Sequence, residues 1–497
     1  MIREANESEI FIGSEKRAIN WKRLFFIMAG LGFFIAIYLS PPWSPAVDPA
    51  GNVFPLSKEG KGAIALFMLA GIWWVFEVVP IGVTSIAIGV LQALFTIRPA
   101  KEAFRDFMDP SVMFIFGSVV IGMAFTKTGL TKRIAYKMLD IVGERTNLIL
   151  LGCLVITALL THVMAHTAVA ATVFPILLAI YSLYGEGDRR TNFGKALFIG
   201  MAYAAGAGSI ITFLGAARGP AAAGMFKEFT GRDVGFFELT KYMFLVGWLM
   251  VLLIWLYFVV FLKPEKAFIR GLKDKVSRLM SEMGPMKREE WLVLLIVLGT
   301  VILMALQSVV PDFRKIDRSA IILISTILFF LIGILTLKEL EEIPWNIILL
   351  FSGAMSLGFC LWKTGAAQWI AVKWLAIFKD APWLVFVMSV ATLVLILTNF
   401  IMNVAAIAIT LPVSLVIAKY LNVAPEVIFY ASLVTAGMPF LLLIGAAPNA
   451  IAYGSNQFTP MEFFKHGIPM SIILLVVLAL SIVILWPLLG MPLLIKP

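Results

Sequence analysis

Two short polar interruptions carry the residues best suited to chemistry: Thr161-His162-Val163-Met164-Ala165-His166-Thr167 and Thr398-Asn399-Phe400-Ile401-Met402-Asn403-Val404. Each lies inside an apolar stretch and is followed by a proline, Pro175 or Pro412. Hydroxyl, amide and imidazole groups in such a setting suit the binding of ions. A helix broken at membrane depth exposes amides that attract anions and carbonyls that attract cations, and it is tolerated where protein or a water-filled cavity takes over from lipid. A single break reads as a kinked structural helix; two, each followed by a glycine-rich run, favour a site. Those runs are Gly206-Ala207-Gly208-Ser209 leading to Gly215-Ala216-Ala217-Arg218-Gly219-Pro220, and Gly437 leading to Gly445-Ala446-Ala447-Pro448-Asn449-Ala450-Ile451. His162 and His166, four apart, would share a helix face as zinc ligands do, but Val163 replaces the glutamate of a zinc protease and no third ligand is near. An intramembrane enzyme would need a nucleophile or metal constellation that this sequence does not assemble, so binding and transport, not catalysis, is the expectation.

The elements that position these residues belong in lipid. Mean hydropathy is +0.95, 61% of residues are hydrophobic and 14% charged, a balance that cannot cover a soluble core with polar surface. Apolar stretches such as Leu24 to Leu39, Ile64 to Val79, Met243 to Leu262, Trp291 to Leu306 and Ser471 to Leu489 approach or reach the roughly 20 residues that cross a hydrocarbon core. The net charge of +10 comes from loops flanking these spans, which read as topology signals and not as a nucleic-acid surface. Arg3, Lys16, Arg17, Lys22 and Arg23 before the first span place the N-terminus in the cytoplasm. Cys153 and Cys360 each sit within an apolar span, so no disulfide or CxxC metal site is expected.

An internal repeat organises the chain. Thr161 to Ile176 aligns without gaps on Thr398 to Val413, an offset of 398 − 161 = 237. Lys127-Thr128-Gly129 matches Lys363-Thr364-Gly365 at 363 − 127 = 236, and Leu214 to Arg218 matches Ile444 to Pro448 at 444 − 214 = 230. The expected division is 1–60 as cytoplasmic N-terminus and first anchor, 61–262 as first repeat, 263–290 as linker and 291–497 as second repeat. In the linker Ile269, Leu272, Val276, Leu279, Met280 and Met283 recur at helical spacing among lysines and arginines, the pattern of a cytoplasmic helix lying on an anionic leaflet. The two repeats then run in opposite senses, with substrate between their broken helices.

Trp73-Trp74-Val75-Phe76-Glu77-Val78-Val79-Pro80 and Gly445-Ala446-Ala447-Pro448-Asn449-Ala450-Ile451, together with the repeat, resemble the divalent anion/sodium symporter family of dicarboxylate, citrate and sulfate carriers over nearly the whole chain. The resemblance implies an all-α integral membrane protein of about eleven spans, with two inverted repeats and two re-entrant hairpins. It also implies a homodimer, elevator-type alternating access and paired Ser-Asn-Thr motifs that bind substrate carboxylates and help to cage sodium. Here those motifs read Ala165-His166-Thr167 and Met402-Asn403-Val404, so oxygen ligands are missing on both sides. The candidate substrate residues are His166, Thr167, Arg218, Asn403, Ala446, Ala447, Pro448 and Asn449; the candidate sodium residues are Thr161, Ala165, Gly208, Thr398, Asn403 and Gly445.

Arg218 stands where the family's first loop has a proline. An ionised arginine at membrane depth is costly and generally functional, so the leading expectation is that His166 and Arg218 supply built-in positive charge and weaken the need for sodium. Transport would then be exchange, or proton-driven through His166. The alternative is ordinary sodium symport with Thr161, Thr398, Asn403 and backbone carbonyls as ligands. The bland counterpart is an Arg218 that snorkels to an interface and a His166 bonded in the core. Glu77 is expected to be architectural, His466 interfacial, and Lys127 and Lys363 surface residues. No cofactor is expected beyond sodium; the partners are a small anion and the bilayer, the location a bacterial inner membrane.

Overall fold

The structure is a computed structural model; it describes residues 21–47, 51–76, 78–186, 189–378, 382–400 and 402–495. Arg3, Lys16 and Arg17, which carry the expected N-terminal orientation, and Glu77 lie outside the described residues. Among the described residues the regular structure is helical apart from one pair of two-residue strands, Ala46–Val47 with Val53–Phe54. Among the described residues eight helices are long and apolar enough to cross a membrane, and five shorter apolar helices accompany them. Two of the short ones, Thr146–Leu160 and Pro425–Ala436, are halves of broken pairs, so their length follows from the interruptions seen in the sequence.

Both interruptions form helical hairpins. Thr146–Leu160 turns back into His166–Tyr184, and Trp383–Phe400 into Asn403–Tyr420. The returning helices start from Ala165 at φ −59°, ψ 134° and Met402 at φ −57°, ψ 140°, so the repeated sequence produces the same extended residue at the same place. Each hairpin is followed by a helix pair broken around a glycine-rich loop: Asn192–Gly208 with Arg218–Thr230, and Pro425–Ala436 with Ala447–Tyr453. Gly208 and Gly215 permit the first hairpin to press against its loop. A Cβ on Gly208 would stand 2.5 Å from Thr161 Oγ1 and 2.6 Å from Ala158 Cα, and one on Gly215 2.6 Å from the Thr161 carbonyl. The two halves are joined across the core by Tyr203, whose hydroxyl donates to the Phe440 carbonyl at 2.9 Å.

The linker helix Leu272–Met283 differs from expectation. Ile269, Leu272 and Val276 are buried, and the helix packs on Leu130–Val142. Arg133 ties the two together, donating to the Gly284 carbonyl at 2.8 Å and to Glu290 Oε1 at 2.8 Å. The apolar stripe that reads from sequence as lipid-facing is therefore covered by protein over its first turns, because periodicity reports an apolar face without naming its partner.

Candidate functional site

A cavity of about 570 Å³ lies where the two hairpin turns meet. Ala165, His166 and Thr167 reach it from the first hairpin and Met402, Asn403 and Val404 from the second, with Ala216, Ala217 and Arg218 from one loop and Gly445, Ala446 and Ala447 from the other. Helices Pro110–Thr128 and Trp345–Lys363 close it with apolar side chains, among them Ile115, Val119 and Phe351. Lys127, Glu339 and Glu342 also line it. Lys127 comes three residues before Leu130–Val142, the helix that packs on the linker, so this charged part of the cavity lies toward the linker side of the molecule. Lys127 Nζ stands 2.5 Å from Glu339 Oε1.

Of the sequence-selected residues, His166, Thr167, Arg218, Asn403, Ala446, Ala447, Ala165 and Gly445 line this cavity. Thr161, Gly208, Thr398, Pro448 and Asn449 stand behind it. Asn449 braces the second loop, its Nδ2 donating to the Pro439 carbonyl at 2.8 Å and the Leu442 carbonyl at 3.0 Å. His162 and His166 do not share a helix face as their spacing predicts: the helix ends at Leu160 and a new one begins at His166. His162 instead meets the ring of Trp248 edge-on at 5.6 Å. The backbone N–H of His166 donates to the Gly215 carbonyl at 2.9 Å, and Nδ1 lies 3.3 Å from the same oxygen.

Arg218 does not snorkel. It is 2% exposed, its Nη2 donates to Ser209 Oγ at 2.7 Å, and Nη1 has no hydrogen-bond partner. It is the one charged side chain at the hairpin end of the cavity among the described residues.

The second half gathers oxygens. Thr398 Oγ1 lies 2.9 Å from Asn403 Oδ1 and 3.1 Å from the Ala436 carbonyl, so one hydroxyl proton faces two acceptors. Such a surplus of oxygen suits a hard cation. The first half is arranged differently. Thr161 Oγ1 turns back to Ala158 O at 2.6 Å, while the Gly206 carbonyl, which corresponds to Ala436 (206 + 230 = 436), accepts from Ser209 Oγ at 2.7 Å. In the second half Thr398 Oγ1, Asn403 Oδ1 and the Ala436 carbonyl are gathered around one hydroxyl proton; in the first Thr161 Oγ1 and the Gly206 carbonyl each bond within their own turn, and a guanidinium lies against Ser209.

Two contributors stand outside the candidate substrate and sodium residues. Asn399 is fully buried, and its Oδ1 accepts from the amides of Leu441 at 2.8 Å and Leu442 at 3.1 Å, shaping the second loop. Its amide in an apolar stretch, matching His162 in the repeat (162 + 237 = 399), was the available signal. Ser209 ends a glycine-rich run, and nothing in its spacing marks it as the acceptor for Arg218.

Residues 49–492 match the family model described as the sodium:sulfate symporter transmembrane region. The chain is 25% identical over 457 residues to a sodium-dependent dicarboxylate transporter of Staphylococcus saprophyticus, covering 87% of each protein. It is 25% identical over 458 residues to the transporter of the same name in Staphylococcus aureus, again over 87% of each. Two solved structures share the fold: the Neisseria gonorrhoeae efflux pump MtrF, with TM-score 0.59 at 13% identity over 95% of this chain and 96% of that one, and the Alcanivorax borkumensis YdaH transporter, with TM-score 0.53 at 13% identity over 95% and 99%. With the family model spanning nearly its whole length and paired hairpins meeting at one cavity, this all-helical membrane chain belongs to the sodium:sulfate symporter family.

Proposed function

We propose that the chain is a secondary transporter of small divalent anions, di- or tricarboxylate or sulfate-like, in which Arg218 supplies a fixed positive charge where the first half would otherwise hold sodium. The observation that carries this reading is the buried, incompletely partnered guanidinium at the cavity end where both hairpins meet. Sulfate and carboxylates match the planar donor set of arginine, and hairpin helix starts add backbone amides. His166 and Thr167 extend the anion site from the first half, with Asn403 and the Ala446–Asn449 segment opposite. The transporter works by elevator-type alternating access, the hairpins and broken helices moving as a unit against helices Pro110–Thr128 and Trp345–Lys363. It acts as a homodimer in a bacterial inner membrane, with N-terminus and linker in the cytoplasm. The cavity described above then opens inward. Coupling is by anion exchange.

The oxygens around Thr398 favour a second reading, sodium symport through the second half alone. Uptake of labelled succinate and sulfate into proteoliposomes separates the two. Exchange requires internal anion and persists when choline replaces sodium; strict sodium dependence without internal anion overturns exchange and leaves symport.

A further inference from the structure

We propose that Ser209 and Gly437 are positioning residues that orient the Arg218 guanidinium toward the anion, a role that rests on the carrier reading above. Arg218 is the first residue of helix Arg218–Thr230 and is fully enclosed, so its charge cannot be solvated by reaching out of the protein. Ser209 Oγ donates to the Gly206 carbonyl at 2.7 Å. That commits its single proton, and its lone pairs are left to accept from Arg218 Nη2 at 2.7 Å. The chain of groups has one direction, and a charge-assisted bond of this length fixes the guanidinium plane.

The opposite half contributes space. Gly437 has φ −73°, ψ −21°, a backbone conformation open to any residue, so its lack of a side chain is not explained by conformation. A Cβ there would stand 2.9 Å from Arg218 Nη2 and 2.4 Å from Ile210 Cγ2. The guanidinium is thus held at the seam between the two broken helix pairs, with a hydroxyl on one side and a bare backbone on the other. An arginine buried for architecture is generally matched by a carboxylate or several carbonyls. Arg98 shows that pattern in this chain, pairing with Asp106 at 2.7 Å and reaching Gln92 Oε1 at 3.2 Å. Arg98 also leaves Nε and Nη2 without a hydrogen-bond partner, so the difference lies in the counter-charge: among the described residues Arg218 has one neutral acceptor, a buried and unpartnered Nη1 and no carboxylate beside it, and the acidic residues lining the cavity, Glu339 and Glu342, belong to the part near Lys127.

The test uses the full-length protein in proteoliposomes, measuring KM and kcat for labelled succinate and sulfate. Ser209→Ala and the near-isosteric Ser209→Cys are expected to raise KM about tenfold with kcat within about twofold, and Ser209→Thr to restore it. Gly437→Ala is expected to raise KM likewise. Arg218→Gln, run alongside, is expected to abolish uptake. If Arg218→Gln abolishes uptake while the Ser209 and Gly437 variants keep the parent KM, the positioning role is wrong and the fixed charge stands. If Arg218→Gln transports like the parent, the fixed-charge reading fails first. A melting temperature for each variant separates lost positioning from lost folding, and equal losses of stability and uptake in Ser209→Ala, Ser209→Cys and Ser209→Thr overturn the proposal.

Discussion

Thr398, Asn403 and Asn399 stand within one turn of the second hairpin and do different work. Thr398 Oγ1 has two oxygen neighbours for one proton; replacing it with isosteric valine removes one oxygen of the proposed cation site and leaves the other two without a donor. Thr398→Val is therefore expected to eliminate any stimulation of uptake by sodium, measured as the ratio of initial rates in sodium and choline. A variant that retains the full stimulation would exclude this site. Asn399→Ala acts on folding, since two amides of the second loop lose their acceptor inside the protein. Each orphaned buried donor costs about 1–3 kcal/mol. A clear drop in the apparent melting temperature of the detergent-solubilised protein is expected, and an unchanged melting curve would mean that the loop finds other acceptors.

The hairpin packs against its loop through glycine at the element scale. Because the atoms facing Gly208 include backbone, an added methyl cannot be relieved by turning one side chain. Gly208→Ala is expected to cost about 1–3 kcal/mol and to lower uptake at least tenfold; a stable, active Gly208→Ala protein would show that this packing is loose. The short helix Leu337–Glu341 poses a different question. Its Glu339 accepts from Lys127 and from Thr336 as a helix cap, and these bonds, the Lys127 bond foremost, hold its carboxyl down at about 2. A depressed carboxylate contributes its interaction above its ordinary range and loses it only as pH falls through the lowered value. Glu339 is accordingly expected to stay ionised from pH 5 to 8. Any pH dependence of uptake in that interval is expected to persist in Glu339→Gln, and a profile flattened by that substitution would show that Glu339 titrates during transport.

For the whole molecule, the asymmetry between a guanidinium-filled first half and an oxygen-lined second half bears on direction and coupling. The described cavity has its Lys127–Glu339 portion toward the linker. Thr126, exposed beside it, is expected after replacement by cysteine to react with a membrane-impermeant maleimide from the linker side only. Added succinate or sulfate should slow the labelling of Ala168→Cys, deeper in the cavity. Labelling of Thr126→Cys from the opposite side would overturn the inward-open assignment.

Composition and hydropathy determined from sequence alone that the chain is helical and lies in a membrane, since those properties are sums over local residues. The gapless match of Thr161–Ile176 to Thr398–Val413 likewise located both helix breaks, because a break is a local failure of the apolar pattern. Side-chain partners were another matter. That His162 turns to Trp248, that Arg218 lies between Ser209 and Gly437, that Asn399 holds Leu441 and Leu442, and that the linker's apolar stripe packs on Leu130–Val142 are all outcomes of packing. Most of these contacts join residues far apart in the chain, and periodicity carries no information about which distant surface fills a given face. Tertiary structure decided them because burying a polar group requires a partner wherever the fold supplies one.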